Sequence, residues 1–258
     1  MILTLVILLF LLMSLIGGNR GGKSFAVLLL NTITAILSMV LIGKNFHPIV
    51  VMLLSSLVFI TVTVGFQNGY NIKSLATILS IGIVLLFLCT LIYYICTNAH
   101  VIGLDELELF EDENSYISSA VTINMLSVLV ISMLWGLLGA VADTSMAIST
   151  TLNEINHNNP SLGTWQLIKS GMSVGKDILG TTINTLIFVG LGESILLVLA
   201  YINYSYSLEK ILNSKSFLNE LSCILISCMG CLMIIPITAI LFSLLVKSPK
   251  KIYSKLRF

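Results

Sequence analysis

The chain has 258 residues, of which 57% are hydrophobic and only 10% are charged, and its formal net charge is +1. Soluble domains carry about 25% charged residues, so this composition excludes a water-soluble globular protein. The near-neutral charge offers no basic surface for nucleic acid. The sequence therefore predicts an all-α integral membrane protein, a polytopic transmembrane helix bundle in contact with the lipid bilayer.

Apolar segments bounded by charged or turn-forming residues predict about seven spanning helices in a single transmembrane domain, 1–258. A helix needs about 20 apolar residues to cross the bilayer. The first segment has no basic residues ahead of it, so we expect an uncleaved first helix rather than a signal peptide. In chain order the predicted spans are 1–16, 24–43, 48–66, 74–97, 122–143, 178–203 and 221–246.

The placement of lysine and arginine predicts that the N-terminus lies outside and the C-terminus lies in the cytoplasm. With seven spans, this orientation puts ten basic residues inside and three outside, which accounts for all 13 in the chain. The loop 98–119 then lies outside and carries six acidic residues without a lysine or arginine. Two interpretations of this acidic outer loop stay open, namely cation capture near an entrance and a solvated face without a partner.

The segment 160–176 is predicted to form an amphipathic helix on the cytoplasmic face of the membrane. Asn159 is suited to cap this helix, and Pro160 is suited to its first position. Trp165 is expected to anchor the helix at the interface.

Asp143, at the inner end of the fifth predicted span, is the leading candidate for a functional residue. An ionisable side chain at membrane depth costs about 2.5–3.5 kcal/mol on insertion scales, so a functional role is the default hypothesis. Asp143, Thr150 and Glu154 share one helical face with Ala147. Asp143 and Glu154 are about 16 Å apart along the axis, which excludes a catalytic acid pair within this helix.

Polar residues of the sixth span are predicted to face Asp143 in the inner half of the bilayer. These residues are Thr181, Asn184 and Thr185. They are suited either to line a hydrated path for a cation or proton, or to lock two helices together through hydrogen bonds. Nearer the cytoplasm, Lys176 and Asp177 are expected to form a charged gate with Glu154.

No motif of an enzyme or a metal site is found in the sequence. There is no nucleophile elbow, phosphate loop or zinc motif, and Gly171 to Lys176 falls one residue short of the phosphate-loop spacing. Cys228 and Cys231 lie inside an apolar span without a second ligand pair, so we expect them to pack as small apolar residues. We expect no enzymatic activity, no metal and no cofactor.

Three ordered sequence blocks between about 135 and 240 resemble the YibE/F family of bacterial membrane proteins. The blocks are Gly139–Asp143 with Ile148–Glu154, Ser170–Leu186, and Asn213–Glu220 leading into Gly230–Thr238. The shortness of the chain is more similar to the YibF-like member than to the larger YibE. The resemblance implies a multi-pass protein of the bacterial plasma membrane that works beside a YibE-like partner or as a homo-oligomer.

Two departures from the family pattern are visible. Lys176 stands where family members usually have arginine, which keeps the charge but loses the bidentate geometry, and Glu193 replaces a small residue. A less specific similarity is to SecD/SecF-type proton-driven transporters, which also place a glutamate about eleven residues after an intramembrane aspartate.

The leading functional hypothesis is an ion- or proton-coupled transporter, or a component of one, with Asp143 as its intramembrane acid. The alternative is a non-transporting scaffold or accessory subunit that assembles with a larger YibE-like partner. In the scaffold, the same polar residues would only hold helices together.

Overall fold

The long apolar stretches fold into helices that pack side by side in a computed structural model, which describes residues 1–66, 69, 71–98 and 125–247. No strand occurs in these described ranges, so the predicted all-α bundle is confirmed. The helices are α1 (Ile2–Gly43), α2 (Pro48–Ile60), α3 (Ile72–Asn98), α4 (Met125–Asn158), α5 (Thr164–Glu193), α6 (Ile195–Asn203), α7 (Leu208–Leu212) and α8 (Lys215–Lys247).

Six segments of the described chain are long and apolar enough to cross a membrane. They correspond to α1, α3, α4, α5 and α8 together with α2, which continues through the π-helical turns Thr61–Phe66. Apart from Asn98, the predicted acidic loop 98–119 lies outside the described residues, as do the basic residues after Lys247.

The helix α1 spans both predicted segments 1–16 and 24–43, but it is not one straight rod. Gly18 has a φ of 54° and a ψ of −134°, a conformation that is strained for other residues and interrupts the helix. The ring centroids of Phe10 and Phe25 are 5.0 Å apart, whereas a straight helix would separate these residues by about 22 Å. The two arms of α1, 2–17 and 19–43, therefore fold back against each other.

The close approach of the two arms requires glycine at position 21. A Cβ added to Gly21 would lie 1.8 Å from the carbonyl oxygen of Met13, while one added to Gly22 would meet nothing within 4 Å. We expect Gly21→Ala to separate the arms and Gly22→Ala to leave them packed. In a cysteine-free background, cross-linking of cysteines at positions 10 and 25 by a short bismaleimide should fall in Gly21→Ala and stay at the wild-type yield in Gly22→Ala. Equal yields in both variants would show that the arms are not packed as described.

The fifth and sixth predicted spans differ from the observed helices at their boundaries. The helix α4 continues past Asp143 to Asn158. Residues 164–176 of the predicted segment 160–176 are the first part of α5, which runs without a break to Glu193. The rest of the predicted sixth span forms α6 after Ser194.

The N-cap predicted for Asn159 was wrong, because α5 begins after Gly163. The side chain of Gln166 accepts a hydrogen bond from the backbone N–H of Gly163 at 2.9 Å and so satisfies one free donor at the helix start.

The helix α8 lies at the centre of the bundle, where it packs against α3, α4 and α5. It runs parallel to α4, since Val141 lies against Gly230 and Ser145 is hydrogen-bonded to Thr238 further along both helices. Buried apolar side chains such as Leu137 and Phe242 fill the contacts between these helices.

Glycines let α5 approach α8 closely and antiparallel to it. A Cβ at Gly171 would lie 2.8 Å from the Cβ of Ala239, and one at Gly190 would lie 2.3 Å from Ile224 Cγ1. Small residues at helix contacts are typical of membrane proteins, where close packing rather than the hydrophobic effect holds helices together. This contact orients α5, so that its opposite face points away from the bundle.

Candidate functional site

Asp143 lies near the middle of α4 and is exposed on the outside of the chain. Its neighbours Val141 and Ala142 are buried, as are Thr144 and Ser145. In the described part of the chain, no hydrogen bond or ion pair reaches the Asp143 carboxylate. The chain therefore presents this acid outward instead of enclosing it in its own core.

The predicted polar stripe on α4 follows the less buried side of that helix. Thr150 is half-buried and Glu154 is exposed, whereas Ile148 and Leu152 on the other side of the helix are fully buried. The stripe thus faces away from α8 along about 16 Å of helix. It is available to groups from outside this chain.

The packing on α8 fixes which part of α5 lies at the level of Asp143. Val141 and Ser145 contact α8 between Gly230 and Thr238, and Gly175 of α5 lies against Ile235 within that stretch. Asp143 is therefore level with Gly175 to within about one helical turn.

The structure places three predicted partners of Asp143 at a different depth from the one expected, namely Thr181, Asn184 and Thr185. Asn184 lies nine residues beyond Gly175, about 13 Å further along α5, and not at the depth of Asp143. All three side chains are exposed. The hydroxyls of Thr181 and Thr185 donate to backbone carbonyls of their own helix, at 2.8 Å to Ile178 and 2.9 Å to Thr181. The structure therefore does not bring them onto Asp143.

The predicted gate residues are not all brought together, because Glu154 lies far from Lys176 and Asp177. Lys176 and Asp177 are exposed next to Gly175, and so lie near the level of Asp143. Glu154 lies about 16 Å away along α4, near the end of the bundle. At that end, Lys247 Nζ donates a hydrogen bond to the carbonyl oxygen of Pro160 at 2.9 Å and links α8 to the turn between α4 and α5.

A continuous row of exposed polar side chains follows α5 on the side opposite α8, and we name it the polar face of α5. It consists of Ser173, Lys176, Asp177, Thr181, Asn184 and Thr185. Of the six candidate spans, α5 has the lowest mean hydropathy, and only 11% of its most apolar stretch is buried. Lipid cannot solvate such a face, so it requires cover by water or by another protein.

Two buried hydroxyl pairs in the core were missed by sequence reasoning. Thr77 of α3 donates to Ser149 of α4 at 3.0 Å, and Ser145 of α4 is 2.9 Å from Thr238 of α8. The sequence signal for them is the four-residue spacing of Ser145 and Ser149, on the face opposite Asp143. Hydrogen bonds of this kind contribute about 0.6 kcal/mol each, so they stabilise the packing of the helices only slightly.

Within the described residues, no group of three or more His, Cys, Asp or Glu side chains is arranged to hold a metal ion. Cys228 is half-buried, Cys231 is buried, and both are free thiols. Cys231 is part of the buried core, next to Thr144 of α4.

Comparison with known proteins identifies the family but not the activity. A comparison with curated proteins and one with solved structures gave no match. The family model described as YibE/F-like protein matches residues 5–248, which include every helix from α2 to α8 and nearly all of α1. The resemblance found in the three sequence blocks is thereby confirmed, and the chain belongs to the YibE/F-like family.

Proposed function

We propose that this chain is a component of an ion- or proton-coupled transporter of the bacterial plasma membrane, with Asp143 as the acid that binds the ion or proton. One observation carries the proposal, namely that Asp143 is exposed in the middle of an apolar helix without a partner in the described part of its chain. Exposure to lipid would cost about 2.5–3.5 kcal/mol, so polar groups or water must meet this carboxyl group. The proposed role involves no enzymatic step.

The outward direction of the polar residues favours a component over a self-contained transporter. Asp143, Thr150 and Glu154 on α4 and the polar face of α5 all point away from the centre of the bundle. A hydrated path along them would run between this chain and another subunit, either a YibE-like partner or a second copy. Lys176 and Asp177, near the level of Asp143, would act as charged groups beside the bound ion.

The second candidate function is a scaffold or accessory subunit without transport. It is favoured by the threonine hydroxyls of the polar face, which are already satisfied by their own helix and need no water. In this case the exposed residues of α4 and α5 would serve only to hold a partner.

Substitution of Asp143 by asparagine distinguishes the two functions, because it removes the titratable group and keeps the size of the side chain. The measurement is proton or cation flux in vesicles of membranes that contain the chain with its natural partners, with assembly followed by size in mild detergent. We expect Asp143→Asn to assemble as the wild type does and to lose about 100-fold of the flux or more, comparable to the loss of a general acid or base.

The matched control is Glu193→Gln, which neutralises an exposed acid at the end of α5, away from the stripe. This control should retain both flux and assembly. Unchanged flux in Asp143→Asn would overturn the transporter proposal. Loss of assembly in that variant would instead assign Asp143 to the scaffold function.

A further inference from the structure

The exposed side of α5 carries a row of residues at alternating steps of four and three, which we name the α5 seam. Residues with this spacing line one side of a helix and can meet a partner helix along its length. No other helix in the described part of the chain covers the row, since each of its members is exposed. The α5 seam consists of Ser173, Asp177, Gly180, Asn184, Ile187 and Leu191.

Two opposite charges lie symmetrically about the α5 seam. Successive residues of a helix are about 100° apart around its axis, so Lys176 and Asp177 lie about 50° to either side of the line through Ser173 and Gly180. Both charged side chains are exposed, and their positions along the helix differ by only about 1.5 Å. Within the described residues, neither of them forms an ion pair with another group.

A second copy of the same helix supplies the missing partner for each charge. When two identical helices pack in parallel about a two-fold axis, a residue on one flank of the contact line meets the residue on the opposite flank of the other helix. Lys176 of each copy therefore meets Asp177 of the other at one level, and two ion pairs result. Charged side chains at membrane depth are usually paired in this way.

The centre of the α5 seam also suits contact with its own copy. Gly180 is exposed and a Cβ added there would meet nothing within 4 Å, so the backbone is open to a close neighbour. Asn184 lies about one turn further along, and its amide both donates and accepts, so two copies of it can bond to each other. A different partner protein requires only that this face fit that partner, whereas a second copy requires that the face fit itself.

From this self-complementary pattern we propose that two copies of the chain pack α5 against α5 in parallel, with the two-fold axis along the membrane normal. The inference rests on the proposed function for the cover of the polar face by another subunit, and it identifies that subunit as a second copy. Asp143 lies on α4 and takes no part in the contact, so pairing and transport are tested separately.

Disulfide formation between single cysteines tests the symmetry of the contact. In the full chain with its own cysteines replaced, native membranes that carry Ser173→Cys, Gly180→Cys or the control Val189→Cys are oxidised. A disulfide requires Cα atoms within about 7 Å, so it joins two copies only on the contact line. We expect the first two variants to give a covalent dimer of two 28.1 kDa chains. Val189 is 51% exposed but lies about half a turn round the helix from Gly180, so its variant should stay monomeric.

Exchange of the two charges distinguishes a second copy from a different protein. In the Gly180→Cys chain, Asp177→Lys places lysine against lysine and should lower the dimer yield about tenfold, the effect of two ion pairs replaced by like-charge contacts. The double variant Lys176→Asp with Asp177→Lys forms the same pairs in reverse and should restore the yield. A different partner protein would not carry the matching exchange, so the double variant would not be restored.

Three results would overturn the proposal. They are absence of the covalent dimer at both Ser173 and Gly180, an equal yield at Val189, and a disulfide to a different protein in place of the dimer. A double variant with no more dimer than Asp177→Lys, but with the thermal unfolding of the wild type, would overturn it as well. A covalent dimer together with unchanged flux in Asp143→Asn would leave the pairing in place and overturn only the transport role.

Discussion

Replacement of Gly175 by alanine is expected to lower the free energy of unfolding of the bundle by about 1–3 kcal/mol, the usual effect of overpacking a core. An added Cβ would lie 2.2 Å from Cγ2 of Ile235 and 3.1 Å from its Cγ1. Ile235 is only 4% exposed, so its side chain has little free space into which it can withdraw. Because α5 has its most extensive contact with α8, the strain would spread along the whole helix pair.

The control for this prediction lies on the same helix. Gly180 is exposed, and an added Cβ there would meet nothing within 4 Å. Gly180→Ala should leave stability unchanged or raise it, because alanine favours a helix over glycine by about 1 kcal/mol. Both variants are compared by thermal unfolding in the same detergent. Equal stability of Gly175→Ala and Gly180→Ala would show that α5 does not pack on α8 through Gly175.

The helical class, the membrane environment and the family could be predicted because each depends on local properties of the chain. Apolar stretches of about 20 residues have few stable alternatives to a helix in lipid. Boundaries were less predictable, since polar sequence such as Thr150 to Asn158 has no apolar pattern but continues α4 beyond the predicted span. A helix already started adds one hydrogen bond per residue, so it extends past the end of the apolar run.

The direction of each helical face could not be predicted, because it depends on contacts between distant segments. The spacing of Asp143 and Glu154 predicted that these two residues share a face of α4. It did not predict the hydrogen bonds on the other side of the helix, which join Ser145 to Thr238 and Ser149 to Thr77. Likewise, glycine contacts between α5 and α8 determine which part of α5 lies level with Asp143.

Replacement of polar side chains on the polar face of α5 by apolar ones is expected to weaken assembly. If a protein partner covers this face, as proposed, the triple substitution Thr181→Val, Asn184→Leu and Thr185→Val is expected to release the chain as a monomer of 28.1 kDa. These side chains are exposed and make no hydrogen bond to another helix within the described residues, so the fold of the chain should stay intact. An apolar surface in their place is soluble in lipid and no longer requires a polar partner.

Two measurements are needed because loss of assembly alone would also follow from misfolding. The mass of the particle in mild detergent should fall in the triple variant, while its thermal unfolding should match that of the wild type. The control carries three changes on the exposed side of α1, namely Ile33→Val, Ile36→Val and Leu37→Val, and should keep the complex. A triple variant of unchanged mass would mean that no protein partner covers this face, and the path beside Asp143 would then have to be formed without a second subunit.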